Sequence, residues 1–540
     1  MTTAALPWFT GTSINPLLRS AHLSMSGHEV TLYIPWIEPE KQNTIYPAQF
    51  SFQTKEEHAL YIFKWLRNDA KLPQAALNMK LAFYDAHLHK PHNSLYAMGE
   101  TVEQIESLER FSLLEDNFTA NKMNITSALY LPQIIVLEEP EHLNWYAYRN
   151  GAQSAWRRFP FVIGIIHTNY VVYARTESVS RIKWINKILQ PIFGSLKAYA
   201  TLGISRWMCA AHTHAIIRLS HSLPKLSAPH DDVSNVHGVR SIFLDTGYAK
   251  AITSRFYDPS IISATLIKNQ PILSQTTPNL CQSSLQFRRR TNNYQHEHST
   301  NGAYFIGKML WQKGLDELGH LLTKTQQAYG GHLPGIFHII GDGPHLESIS
   351  RKFHHLGLDV SFQGRMDHAD VPPYRVLINP SKTEVLCTTV SEALAMGKWV
   401  ILPHHPSNTF FTQFPTCLIY KNHNQFIQAY SYALHHEPPP LSRFLRHTLS
   451  WHAATHRFCQ LTAKVSTKKK KNQLLRPRHR LAAAIHCHLG RGFLGDLIRT
   501  VAGGGFYLGF QSRYVRQQKK NYNKLSSSLQ QQPIAGNFSC

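Results

Sequence analysis

The feature that most constrains the fold is an alternation of short apolar runs with helix-like stretches, and it occurs twice. In the front part HEVTLYIPW (28–36), QIIVLEEP (133–140), FVIGIIHTNY (161–170), IIRLS (216–220) and SNVHGV (234–239) read as buried strands ending in polar residues. After Asn301 the alternation restarts: GAYFIGKML, a helix through LDELGHLLTKTQQAY, GIFHIIGDGP, a helix, DVSFQGR, RVLINPS, a helix through SEALAMG, then KWVILPH. Strands separated by helices form parallel sheets covered on both faces. The fold class is α/β, with two Rossmann-like, doubly wound parallel-sheet domains facing a cleft. Ligands of such sheets sit at the carboxyl ends of the strands.

Length and spacing divide the 540 residues into a first domain over 1–230 and a second over 231–425, then a closing helical segment over 426–460 and a basic tail over 461–540. The stretch 268–300 is polar and aperiodic, with Arg288, Arg289 and Arg290 in a row, and reads as a mobile loop. A hydrophobic share of 43% fills real cores, which excludes global disorder. No apolar run approaches the roughly 20 residues of a membrane-spanning helix. The opening MTTAALPWFTGT lacks the cationic and apolar regions of a secretory signal and the Arg/Ser-rich stretch of a transit peptide. Seven scattered cysteines with no C-x-x-C pair argue against a disulfide framework.

Charge is concentrated at the end. Residues 461–540 hold 15 Lys and Arg against one acid, Asp496, which is +14 of the net +23. Such a tail is expected to be disordered or to fold on a polyanion, and the sequence does not choose between a solvated tail and a phosphate-rich partner.

Three features of the second domain carry chemistry. In GKMLWQKG (307–314), Lys308 and Lys313 flank a strand-to-helix junction, where two ammonium groups suit a departing diphosphate. GDGP (341–344) closes a strand and, alone, is an ordinary tight turn. In NPSKTEVLCTTVSEALAMGK, Glu384 falls in the loop after a strand and Glu392 in the first turn of the next helix. Between them Cys387, Thr388 and Thr389 aim backbone N–H groups at an anion. Two carboxylates beside an amide-rich turn suit a sugar nucleotide. In the first domain, Gly11 and Thr12 follow the first strand and precede the helix of NPLLRSAHL, and His167 ends FVIGIIH at a strand's carboxyl end. DAHLHKPH (85–92) and HCH (486–488) lack a four-ligand metal spacing and read as surface histidines.

The chain resembles the retaining glycosyltransferases of the GT-B, family-four kind, and more narrowly the plant and algal digalactosyldiacylglycerol synthases. The likeness is carried by MTTAALPWFTGTSINPLLRSA, LEEPEHLNWY, VIGIIHTNY, NVHGV, GAYFIGKMLWQKGLDEL, GRMDHAD and INPSKTEVLCTTVSEALAMGK, from residue 1 to about 425. It implies UDP-galactose as donor, monogalactosyldiacylglycerol as acceptor and retention of the anomeric configuration. By the same resemblance Lys308 and Lys313 face the donor diphosphate, Glu384 the donor sugar and Glu392 the ribose. Cys387, Thr388 and Thr389 match the phosphate turn, Gly364 and Arg365 meet the base, Gly11 and Thr12 belong to the loop over the phosphates, and His167 lies near the transferred sugar. His167 and Glu384 are the catalytic candidates.

The chemistry so implied needs no metal or other cofactor. It expects peripheral contact with a membrane, including anionic lipid, at a plastid outer envelope if the source is photosynthetic, and no specific nucleic acid. Two other readings stay open: a different lipid or sugar acceptor served by the same donor machinery, and a non-catalytic basic binding protein on the same fold.

Overall fold

The computed structural model describes residues 1–89, 94–97, 133–145, 156, 159–176, 183–226, 228, 230–256, 302–471 and 477–489. The expected loop at 268–300 and residues 490–540 of the tail lie outside these.

Thirteen strands appear in the described residues: β1 (Thr31–Trp36), β2 (Lys80–His89), β3 (Ser94–Ala97), β4 (Ile134–Glu138), β5 (Phe161–Ile166), β6 (Ala215–Arg218), β7 (His230–Val233), β8 (Gly302–Ile306), β9 (Ile336–Ile340), β10 (Ser361–Gln363), β11 (Val376–Ile378), β12 (Trp399–Pro403) and β13 (Cys417–Tyr420). In the second lobe they form one parallel sheet of order β10-β9-β8-β11-β12-β13. Counted from β8, that is the 3-2-1-4-5-6 order of a dinucleotide-binding sheet, with its topological switch between β8 and β11. The central strands are apolar along their length, as burial on both faces requires: β11 and β12 are buried throughout.

The first lobe has β4-β5-β6-β7 in parallel, and β1 parallel to β2, which turns back antiparallel into β3. Residues 1–3 lie between the two groups. The amide of Thr2 donates to Tyr33 O at 3.1 Å on β1, and Met1 O accepts from the Glu138 amide at 2.9 Å on β4. The opening residues thus bridge the two groups by backbone hydrogen bonds.

SNVHGV, read as a strand, is not one. The strand lies just upstream at β7, which pairs with β6 in the first lobe's sheet. Val236 is buried by packing, and its O accepts from Arg19 Nη1 at 2.7 Å, while Val239 makes only an isolated parallel bridge with Ser450. An unstructured tail was expected from Leu461 onward, yet helix continues to Lys471 in Trp451–Lys471 and returns in Pro477–Leu489. Both return to the first lobe: Arg457 Nε donates to Asn235 O at 2.6 Å, and Trp207 Nε1 to Ala482 O at 2.7 Å. One buried cluster runs through both lobes, joining Ile165 and Ile217 to Leu377, Leu394 and Leu402.

A candidate nucleotide-sugar site between the lobes

The switch between β8 and β11 brings two loops together. Gly314 has φ +78°, and a Cβ there would stand 2.8 Å from Pro380 O, so only glycine lets the 307–314 turn lie against the loop after β11. Thr383 Oγ1 also donates to Gln312 O at 2.8 Å. Across this contact Lys313 Nζ donates to Glu384 Oε1 at 2.5 Å. The GDGP turn supports the same junction from behind: Gly341, at φ +141°, brings its backbone so close to Gly307 that a Cβ would lie 2.0 Å from Gly307 O.

The two lysines differ electrically. Burial works against the charge of Lys313, but Glu384, by attraction and hydrogen bonding, outweighs it and raises the pKa above the ordinary lysine value. Lys308 is pushed down, first by desolvation and then by the neighbouring Lys313 ammonium. The pair therefore concentrates positive charge beyond one strand end, where among the described residues Glu384 pairs with Lys313.

Beside them the helix Thr388–Ala395 begins at Cys387, which is buried and in extended conformation. Asn379 Nδ2 donates to Cys387 Sγ at 2.9 Å, and burial followed by Glu384 pushes the thiol up to about 12, so it is a packing group and not a nucleophile. Its neighbours Thr388 and Thr389 form the first turn and carry the free helix-end amides. Glu392 is the fifth residue of this helix, on its second turn rather than its first. Its Oε2 accepts from His368 Nδ1 at 2.7 Å. His368 Nε2 lies 2.7 Å from the Tyr304 hydroxyl, and burial keeps the imidazole's pKa low despite Glu392. A neutral ring that donates at Nδ1 accepts at Nε2, so Tyr304 is the donor there. Tyr304, His368 and Glu392 form one oriented chain from β8 to the site.

In the first lobe, His167 follows β5 and is turned inward. Its side chain is 4% exposed, and Nε2 donates to Glu138 Oε2 at 2.5 Å. Arg19 Nε donates to the other oxygen of Glu138 at 2.8 Å, from the helix Gly11–Met25. Burial alone would raise Glu138, but Arg19 and His167 together hold its carboxyl well below the usual range. The His237 ring lies 5.0 Å from that of His167, fully buried and kept neutral by that burial. Next along the chain, Glu139 takes a left-handed φ of +67°, unusual for a side-chain-bearing residue. Its carboxylate accepts from Thr3 Oγ1 at 2.9 Å and from Thr168 Oγ1.

Gly11 and Thr12 open the Gly11–Met25 helix under a capping box formed by Thr10 and Ser13. No strand is assigned ahead of them. A Cβ on Gly11 would meet only Asn15 Nδ2, at 3.4 Å, so packing within the chain leaves the space over this residue open. The lobes touch close by: the Arg365 guanidinium lies 4.6 Å over the Phe9 ring, while Gly364 is exposed beside it. Two further contacts cross at the lysines. Ser222 Oγ donates to Glu384 O at 3.5 Å. Tyr173, raised mainly by burial, feels Lys313 and Glu384. Lys308, Lys313, Gly364, Arg365 and Glu384 thus follow strands of the second lobe and His167 one of the first, where it points into its own lobe. Thr388, Thr389 and Glu392 lie on a helix with Cys387 just before it, and Gly11 and Thr12 start a helix with no strand ahead.

Sequence reasoning assigned no role to Arg19, Glu138, Tyr304 or His368. His368 lies inside GRMDHAD, and a histidine three residues beyond Arg365 was the available signal. Among the described residues no group of three or more His, Cys, Asp or Glu is arranged to hold a metal ion.

The model of the family "Glycosyl transferases group 1" matches residues 288–409, which span β8 to β12 and the helix carrying Glu392. The chain is 34% identical over 464 residues to "Digalactosyldiacylglycerol synthase 1, chloroplastic" of Glycine max, covering 85% of this chain and 48% of that protein. It is 33% identical over 464 residues to "Digalactosyldiacylglycerol synthase 2, chloroplastic" of Arabidopsis thaliana, covering 85% of this chain and 80% of that one. The chain therefore spans about half the length of the synthase 1 relatives and about four fifths of the synthase 2 relative. A glycosyltransferase from Rickettsia africae ESF-5 superposes with TM-score 0.42 at 11% identity, over 83% of this chain and 93% of that one. Two Rossmann-like lobes meeting at their strand ends form the GT-B architecture, and with a relative covered over most of its length the conclusion is direct: this chain belongs to the digalactosyldiacylglycerol synthase family.

Proposed function

We propose that the chain transfers galactose from UDP-galactose to monogalactosyldiacylglycerol with retention, yielding digalactosyldiacylglycerol. The observation that carries this reading is the Lys313–Glu384 hydrogen bond at the β8/β11 switch, with Lys308 alongside. Glu384 occupies Lys313 as an internal anion. An arriving diphosphate takes its place on the ammonium and frees the carboxylate for the hydroxyls of the donor sugar. The helix-end amides at Thr388 and Thr389 take phosphate oxygens, and Glu392, aimed by His368, takes the ribose. Gly364 and Arg365 border the base, and the open space over Gly11 and Thr12 admits the phosphates.

As the bond between C1 and the phosphate oxygen breaks, negative charge grows on the β-phosphate beside Lys308 and Lys313, which stabilise it; this step calls on no metal. The acceptor hydroxyl adds to C1 on the face the phosphate leaves, and its proton passes to the departing phosphate oxygen. His167, fixed by Glu138, shapes the wall beside the sugar and is not the attacking group. Closure of the lobes keeps out water that would hydrolyse the donor. The relatives' names place them in chloroplasts, and we assign this chain a peripheral position on the plastid outer envelope.

The test is to supply radiolabelled UDP-galactose with vesicles of monogalactosyldiacylglycerol and identify the labelled lipid. Label in a second, α-linked galactose is the expected product. Label on another acceptor, or none on lipid, overturns the assignment.

A further inference from the structure

The helix Lys183–His212 has apolar residues on the wrong side. Its inner face buries Ala198, Thr201, Ser205 and Met208, at spacings of three and four. Its outer face shows Ile192 (67% exposed), Leu196 (61%) and Tyr199 (70%), at spacings of four and three, with Phe193 half exposed beside them. A surface helix in water puts polar residues there. The Pro477–Leu489 helix lies along it, held by the Trp207 bond to Ala482 O and by a 2.9 Å contact between His212 Nε2 and His486 Nδ1, and it exposes Leu481 and Ile485 one turn apart.

Charge identifies what covers this face. Among the described side chains the longer helix carries Lys197 and Arg206 and the shorter one Arg480, and the sequence of neither helix contains an Asp or Glu. A second copy would bring the same acid-free, cationic face against it, in a chain of net +23. Negative headgroups over a hydrocarbon layer match both the cations and the apolar stripe. Among the described residues no helix is long and apolar enough to cross a membrane, so such contact lies in the plane of the surface.

The face is also continuous with the site. Gly194 is pressed against the preceding helix, Tyr170–Thr176, where a Cβ would lie 2.5 Å from Arg175 O. Tyr173 of that helix is half exposed and within electrostatic reach of Lys313 and Glu384.

We infer that the outer faces of Lys183–His212 and Pro477–Leu489 form an in-plane docking surface for an anionic lipid bilayer, which delivers a lipid headgroup to the donor site along Tyr170–Thr176. The delivery role rests on the lipid-acceptor reading above; the docking does not. The test is flotation of the full chain with vesicles of phosphatidylglycerol and phosphatidylcholine in equal parts, and with phosphatidylcholine alone, beside titration with UDP-galactose. The wild type is expected to float with the mixed vesicles and to keep part of that binding in high salt. Ile192→Glu and Leu196→Glu are each expected to cut partitioning at least tenfold, with thermal midpoint and UDP-galactose affinity unchanged. Transfer to vesicle-borne acceptor falls in parallel, while transfer to detergent-dispersed acceptor stays. Equal flotation of folded variants and wild type overturns the inference. So does a wild type that stays off the vesicles, or one that forms a dimer which Leu196→Glu splits. A wild type that floats but does not bind UDP-galactose defeats the donor reading and leaves the docking surface standing.

Discussion

Lys313 and Glu384 stand 71 residues apart in sequence and 2.5 Å apart in space, joined across the point where the second sheet reverses its strand order. The bond joins the loop after β8 to the loop after β11, beside the Thr383–Gln312 contact, and keeps its lysine charged.

Removing either partner is expected to lower kcat by about 10²- to 10³-fold, the range seen when one preorganised stabilising group is lost. Lys313→Ala and Glu384→Ala should both keep the fold, since each side chain is partly solvent-exposed. Circular dichroism and initial rates with UDP-galactose check this; normal turnover in both variants defeats the assignment of the pair.

The two lysines predict a pH profile. Lys313 has its pKa raised and stays charged through the working range. Lys308 has its pKa lowered by desolvation and by Lys313, so it is the first of the two to lose its proton as pH rises. The alkaline fall of kcat/KM should begin below the ordinary lysine range. In Lys308→Arg, which stays charged, that limb should move to higher pH.

His368 separates binding from chemistry. His368→Phe deprives Glu392 of its donor, and Tyr304→Phe removes the hydroxyl that fixes the His368 tautomer. Each is expected to raise the donor KM about tenfold with little change in kcat, His368→Phe more than Tyr304→Phe. A fall in kcat at unchanged KM would contradict the placing of Glu392 on the ribose.

Arg19 carries a stability cost instead. Arg19→Met leaves the Glu138 carboxylate buried with only His167 at its side, and loss of one member of a buried pair costs about 3–5 kcal/mol. Arg19→Met with Glu138→Gln should recover part of that loss, measured by urea unfolding.

Two first-lobe histidines make stability depend on mild acid. Burial lowers His22 and His58 from an ordinary value near 6.5 to about 4. Between those values the unfolded chain binds protons that the folded chain does not, so stability falls as pH drops through that window. His58 is fully buried, with Nε2 donating to Leu6 O at 2.5 Å and the ring stacked on Phe52. The thermal midpoint should decline from pH 6.5 towards 4, and less steeply in His58→Phe.

The second lobe was legible because its strands are short, apolar runs that alternate with amphipathic helices, a pattern a parallel sheet imposes locally. The same local logic misplaced SNVHGV, since Val236 is apolar because it packs under distant side chains and Val239 pairs only in a lone bridge with Ser450. Glu384 and the lysines announced themselves by charge at strand ends. Glu138 did not, because its meaning depends on Arg19, 119 positions away, and no periodicity links them. His167 was placed correctly at a strand end, but its inward turn follows from that same unseen carboxylate.

The helix Ser241–Phe256 meets Thr388–Ala395 so closely that a Cβ on Gly247 would lie 2.0 Å from Ala395 O, and Phe243 packs 5.8 Å from the His368 ring. It precedes β8 in the chain yet packs on the second lobe. Its end at Phe256 and the start of β8 at Gly302 therefore both lie on the second lobe, so a change of length between these two anchors need not alter how the lobes meet.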